Sequence, residues 1–211
     1  MELYKLTNAD GTPCNGGTGV WHLPKGKRPG KWMPPIQGEI IPCLHGYHAL
    51  RPQDILSWTG EALWELETKD ATPLVDEDKV VLATARLVRR VDAWNDKTLR
   101  LLAADLAEHA QHLGNGDKRS RRAIVAARMY AFGLISRQEL AAAWDAARAA
   151  ARAAAGDAAR AAVWNAARAA AWDAAWDAEK AWQGVRVLSY LRGQVDLAEI
   201  EKAAVAEWAK E

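Results

Sequence analysis

The spacing of apolar positions changes near Asn95. Before that point apolar residues come in short runs bounded by glycine and proline, the grammar of strands and turns. Residues 3–7, "LYKLT", read as an opening strand closed by the turn "NADGTP". Residues 15–42, rich in Gly and Pro, read as irregular. "RPQDILSWTG" predicts one short helix starting after Pro52, and "ALWELET" has a mixed period. "KVVLATARLVRRV", dense in Val and Leu, is the clearest strand.

After Asn95 the period becomes helical. Asn95 or Asp96 caps a helix whose apolar positions Leu99, Leu102, Leu106 and Leu113 recur at helical spacing, and "GNGDK" stops it. "SRRAIVAARMYAF" is a second helix ending at Gly133. "SRQE" is a capping box, Ser136 capping the next helix while Glu139 reaches back. Asp196 and Glu199 give a similar signal for the last helix.

Residues 144–183 fall into units of four, with Trp or Arg in the first place and alanine mostly in the third and fourth. Four residues advance about 400° on a helix, so the Trp/Arg stripe drifts about 40° per unit. One straight helix would carry that stripe around the whole cylinder. A break is therefore expected at "AGDAA", with Gly156 ending one helix and Asp157 capping the next. Alanine faces allow close helix approach. One buried indole removes about 150–250 Å² from water, so the tryptophans are expected to dominate packing. Asp145–Arg148, Asp157–Arg160 and Asp177–Lys180 form i,i+3 pairs, and Trp144–Arg148 and Trp164–Arg168 lie at stacking distance along a helix. The other reading of this stripe is an aromatic, Arg-lined groove that stacks a base or grips a peptide.

Together these elements predict an α+β fold. A small β-rich N-terminal domain, residues 1–95, packs on an Ala/Trp-rich antiparallel helical bundle, residues 96–211.

Composition narrows the function classes. Among 211 residues, 28 Lys and Arg nearly balance 27 Asp and Glu, which argues against a protein that coats nucleic acid in bulk. No apolar stretch is long enough to span a membrane. "MELYKLTNADG" lacks a signal pattern, so a cytoplasmic protein is expected, with its two cysteines reduced.

Candidate chemistry concentrates in "CLHGYHAL". Cys43, His45 and His48 are zinc-ligand types, but C-x-H-x₂-H matches no common zinc pattern, so no metal is expected. Cys43 beside His45 says nothing about the orientation a nucleophile and base require. The alternative is a strand entering a tight turn at Gly46, with His48 packed or hydrogen-bonded. "NGGTG", residues 15–19, reads as a flexible loop, and no phosphate-binding glycine motif is present. "HLPKGKRPGK" places Lys25, Lys27, Arg28 and Lys31 on a loop, either solvated or phosphate-contacting. "DKRSRR" sets Lys118, Arg119, Arg121 and Arg122 at a helix N-terminus, where the dipole disfavours positive charge. Internal acidic partners or a bound anion must offset that charge.

Two stretches resemble known families. "GYHALRPQDILSWTGEALWELE", then "DEDKVVLATARLVRRVDAWN", resembles an uncharacterised small domain of phage and bacterial proteins. That domain has a G-x-H-A turn, an aromatic-Glu-x-Glu strand and a D-K-x-V strand. The matching places are Gly46, His48, Ala49, Pro52, Asp54, Trp64, Glu65, Glu67, Asp78, Lys79, Val80, Leu87, Val88 and Arg89. Residues 97–190, with "RRAIVAAR" before an Ala-rich array, are similar to immunity proteins of bacterial toxin systems, and Arg121, Arg122 and Arg128 fall on that motif. The resemblance implies a mobile-element or conflict setting, in the host cytoplasm if the chain is phage-encoded. It supplies no catalytic residue.

The expectation is a non-enzymatic binding protein of phage-encoded or immunity type, without cofactor. It neutralises or sequesters a defence-system protein, a toxin or a nucleotide-like signal. Its ligand-binding residues are expected to be Lys118, Arg121, Arg122, Arg128, His48 and Trp64. One alternative is an enzyme acting on a nucleotide or nucleic acid, with His48 near Glu65 or Glu67 and the basic loop holding phosphate. Another is a structural or oligomerisation module.

Overall fold

A computed structural model describes residues 1–112, 118–158 and 169–210; the side chains at 111–112 and 150–177 lie outside that description. The fold is α+β, with strands preceding helices. Two compact units divide the chain: Met1–Trp94 with Lys180–Leu191, and Asn95–Glu179 with Arg192–Glu211.

In the first unit, β1 (Leu3–Thr7), β2 (Tyr47–Ala49), β3 (Ala62–Glu67), β4 (Leu74–Val75), β5 (Val80–Leu82) and β6 (Arg86–Arg90) form two antiparallel three-stranded sheets. Their orders are β1-β3-β6 and β2-β5-β4. Leu3, Trp21, Met33, Trp64, Val80 and Leu87 belong to one buried core. Val187 and Tyr190, from the helical segment of this unit, are also buried. The Gly/Pro-rich stretch has few strand bridges, yet Gly30, Met33 and Ile36 donate backbone N–H groups to the carbonyls of Leu87, Ala85 and Ala83. This satisfies donors that a loop of this length must otherwise leave to water.

The single strand expected at "KVVLATARLVRRV" is two strands in two sheets. Asp70 explains the break. Its carboxylate accepts from the backbone N–H of Ala83 (2.6 Å) and Thr84 (3.1 Å) and from Thr84 Oγ1 (2.7 Å), taking donors that a continuous ladder would use. The short helix after Pro52 is a 3₁₀ turn, Pro52–Ser57. Asp54, within this turn, is buried and paired with Arg51, whose guanidinium also donates to the carbonyls of Asp76 and Glu77.

The second unit holds α1 (Asp96–His112), α2 (Lys118–Ala131), α3 (Arg137–Ala158) and α5 (Leu197–Trp208); α4 (Ala169–Leu191) belongs to it only up to Glu179. Asn95 caps α1 through Thr98 N–H, Ser136 and Glu139 make the expected reciprocal cap, and Asp196 accepts from Ala198 and Glu199 N–H. The packing is antiparallel around α2. Lys97 meets Phe132 and Arg100 meets Tyr130 across α1 and α2, while Arg121 pairs with Glu207 on α5.

One expectation is corrected in the helical unit. Residue 156 is not a break: α3 continues through Gly156 to Ala158, so Asp157 is no cap there. One interior glycine costs about 1 kcal/mol relative to alanine, which the surrounding alanine propensity offsets. The packing role expected of the tryptophans falls largely on Trp164, Trp172 and Trp176, whose side chains lie outside the described residues. Among the described residues Ala126, Leu140, Ala143, Val125 and Met129 form buried clusters, with Trp208 against their edges. Trp144 is 44% exposed. Asp145 and Arg148 do approach, at 3.6 Å, in the open. The expected pairs at Asp157–Arg160, Trp164–Arg168 and Asp177–Lys180 lie outside the described residues. Among those described, no helix is long and apolar enough to cross a membrane.

Candidate functional site

The N-terminal unit contains a cavity of about 480 Å³ between β1, β2, the loop 13–19 and the turn 43–46. Its volume falls in the range of small-molecule sites. Lys5 stands at its wall. Strand alternation puts Lys5 on the same face as Leu3 and Thr7, which contribute to the buried interior, opposite Trp64 in register. Lys5 Nζ donates to the carbonyl of His48 at 2.9 Å and lies 5.3 Å from the centre of the Trp21 ring. Among the described residues no carboxylate forms an ion pair with it. Burial therefore pushes its amine down to about 8.

Lys79 lines the same cavity in opposite circumstances. Its ammonium reaches Asp78 at 2.8 Å and Asp76 at 3.1 Å, and the two carboxylates raise its pKa. It also lies over the ring of Trp58, whose indole N–H is held by the Asp78 carbonyl. One lysine is fixed as a cation while the other is left poorly solvated.

His48, on β2, accepts at Nε2 from the Cys43 N–H at 3.1 Å, which in the neutral ring places the proton on Nδ1. Burial, then Lys5 and Lys79, hold its pKa below the ordinary value. The turn before it requires unusual backbone: Cys43 has φ +64°, and Gly46 has φ +147° with Val81 Cγ1 2.4 Å from where a Cβ would stand. The opposite rim is the "NGGTG" loop, whose Gly16 and Gly17 have φ of +81° and +90°. Cys14, at its start, is held by the Thr59 carbonyl, and burial raises its pKa so that it stays a thiol.

Of the six residues expected to bind ligand, His48 lines this cavity and the others do not. Trp64 is in the core, its Nε1–H donating to Thr7 Oγ1 at 2.8 Å. On α2, Arg121 pairs with Glu207, and Arg122 donates to the Trp208 carbonyl at 3.2 Å and lies over its ring. Arg128 reaches Asp105 at 2.7 Å and Glu108 at 2.6 Å. Lys118 is exposed at the first turn. Of the two offsets expected for "DKRSRR", the internal one is present.

The grouping expected for an enzyme is not assembled. Glu65 and Glu67 pair with Arg89 and Arg86, and neither they nor Lys25, Lys27, Arg28 and Lys31 line the cavity. Among the described residues no group of three or more His, Cys, Asp or Glu is placed to hold a metal ion. Sequence reasoning missed Lys5 and the glycine loop. The available signals were a lysine on the inward phase of "LYKLT" and consecutive glycines facing a Cys/His turn.

A second concavity, about 690 Å³, lies in the helical unit among α1, α2 and α3. Alanines, Leu99, Ile124 and Leu140 line it, with Trp144 at its edge and Arg100 over Tyr130 as its cation. Comparison of the chain with protein families, with curated proteins and with solved structures finds no match.

Proposed function

We propose that this chain is a binding protein that sequesters a small anionic, nucleotide-like signal in the N-terminal cavity. The observation that supports the reading is the lining: Lys5, Lys79, His45 and His48 contribute to it, and among the described residues no carboxylate does. Trp21 and Trp58 supply flat apolar surface beside the two lysines, the combination that holds a base or another planar group next to a phosphate. The conflict setting implied by the resemblance of "GYHALRP" and "RRAIVAAR" fits a protein that removes a signal from circulation, in the host cytoplasm if it is phage-encoded.

Titration with a cyclic dinucleotide, ATP and pyrophosphate, followed by the fluorescence of Trp21 and Trp58, tests the proposal. A saturable change that weakens with salt is expected for at least one anion. Lys5→Gln is expected to weaken it about ten-fold, one charged hydrogen bond's worth. Ligand recovered intact after heat denaturation supports sequestration, and turnover of added ligand supports an enzyme instead. No response to any of the three anions overturns the reading.

A further inference from the structure

We propose that Lys5 is a reactive amine, and that the cavity captures an anionic aldehyde or ketone by condensing it with Lys5 Nζ to a Schiff base. The inference rests on the anion-site reading above and specifies which chemistry the ligand carries. Three features of the site converge on it. Nζ stands at the wall of an accessible cavity, anchored by a single carbonyl acceptor, that of His48, rather than by a carboxylate that would keep it protonated. Lys79, clamped by Asp76 and Asp78, supplies a permanent positive charge for the anionic end of the ligand. Trp21 and Trp58 line the same space and give the carbonyl carbon of the ligand an apolar surface beside Nζ.

The charged and titratable groups around Nζ come from every neighbouring element: Cys14 from the loop, His48 from β2 and Lys79 beside β5. Burial disfavours protonation of the His48 ring, and Cys14 offsets the desolvation of the Lys5 ammonium only in part. An amine titrating at about 8 is neutral in about one molecule in ten at pH 7, against fewer than about one in a thousand for an ordinary lysine.

The step balances without a further reagent. The ammonium loses a proton to water, and the neutral nitrogen attacks the carbonyl carbon. The resulting carbinolamine loses its hydroxyl as water while the C=N bond forms. Amine and carbonyl become imine and water, with no change of oxidation state.

Pyridoxal 5′-phosphate, an anionic aldehyde, is the probe, with cyanoborohydride to fix the imine and peptide mass spectrometry to locate it on the full chain. The adduct on Lys5 is expected to form at least ten times faster at pH 7 than on the exposed Lys25, Lys27 and Lys31. The rate at Lys5 is expected to level off above about pH 8 while the exposed lysines continue to accelerate. Lys5→Arg removes the nucleophile and is expected to lose the fast adduct, while pyrophosphate binding is measured on the unsubstituted chain. If Lys5 labels no faster than the exposed lysines while pyrophosphate still binds, the reactive amine is refuted and the anion site stands. If neither labelling nor binding occurs, both readings fall.

Discussion

Both units pair most of their charges internally, and they differ in one cation, Lys5. In the helical unit the arginines of α2 are absorbed by their own neighbourhood: Arg128 by Asp105 and Glu108, Arg121 by Glu207, Arg122 by the carbonyl and ring of Trp208. In the N-terminal unit Lys5 is enclosed among aromatic and backbone groups with no acid to pair with it. The indoles divide similarly. Trp64, Trp94 and Trp58 of the N-terminal unit have their N–H groups bonded to Thr7, Gly60 and Asp78, whereas Trp144 stands 44% exposed on α3. A cation that is fully paired contributes to a fold; one that is desolvated and unpaired costs stability and persists where it serves a ligand.

Arg128 offers the largest test. Its side chain is 13% exposed and that of Asp105 only 7%, so Arg128→Ala leaves a carboxylate buried without its counter-charge. A loss of about 3–5 kcal/mol is expected in urea unfolding. The double variant Arg128→Met with Asp105→Leu is expected to recover much of it, since an apolar pair of similar volume replaces the buried ion pair and only the more exposed Glu108 loses its partner. If Arg128→Ala instead unfolds at the wild-type midpoint while cyclic-dinucleotide binding disappears, the contrast between the units is reversed.

Asp70 comes next, with an expected loss of about 2–3 kcal/mol for Asp70→Ala, because Ala83 and Thr84 keep their N–H groups and lose the acceptor. Asp70→Asn, which retains an acceptor oxygen, is expected to lose about half as much. Chemical-shift changes in the amides of Ala83 and Thr84 locate the effect; a perturbation confined to other strands would mean that Asp70 is not what splits the strand.

Asp70 also shows where sequence pattern stops being informative. Signals written within a few residues are legible: the caps at Asn95, Ser136 and Asp196, the opening strand Leu3–Thr7, and the turn at Gly46 with a hydrogen-bonded His48. Their physics is local. The split at Ala83 depends on a carboxylate thirteen residues earlier, and "KVVLATARLVRRV" contains no trace of it. The helix through Gly156 is a balance between one weak residue and many strong ones, which position alone does not decide. For the site, His48 was legible from its reactive neighbourhood. Lys5 requires knowing that both faces of "LYKLT" are covered, and Arg121 and Arg128 look like ligand groups until Glu207 and Asp105 are brought to them.

Lys5 should respond with the opposite sign. Its folded pKa, about 8, lies below the ordinary 10.5, so between those values the unfolded chain binds more protons and stability rises with pH. The penalty is complete below about pH 8 and relieved above 10.5. Lys5→Met removes it and leaves the His48 carbonyl without its donor, for a net gain of about 1–2 kcal/mol at pH 7. The advantage of the variant over wild type is expected to shrink as pH is raised through that window. An advantage that does not change with pH would locate the effect in packing rather than in the charge.

The smallest effect tests the other half of the contrast. If alanine and aliphatic side chains fill the helical unit, the ring of Trp144 contributes little to it, and Trp144→Ala should shift stability by no more than about 0.5 kcal/mol, as an exposed helix position does. Alanine is also the better helix former, which offsets part of the lost contact. Trp64→Phe is the contrasting variant, because it removes the buried N–H bond to Thr7 and leaves a void in the core, and it should cost about 2–3 kcal/mol. The two variants separate an indole that covers a surface from one that closes a core. Equal losses, or a larger one at Trp144, would mean that the edge of the alanine-lined concavity is covered in solution, and that the tryptophans of this unit pack after all.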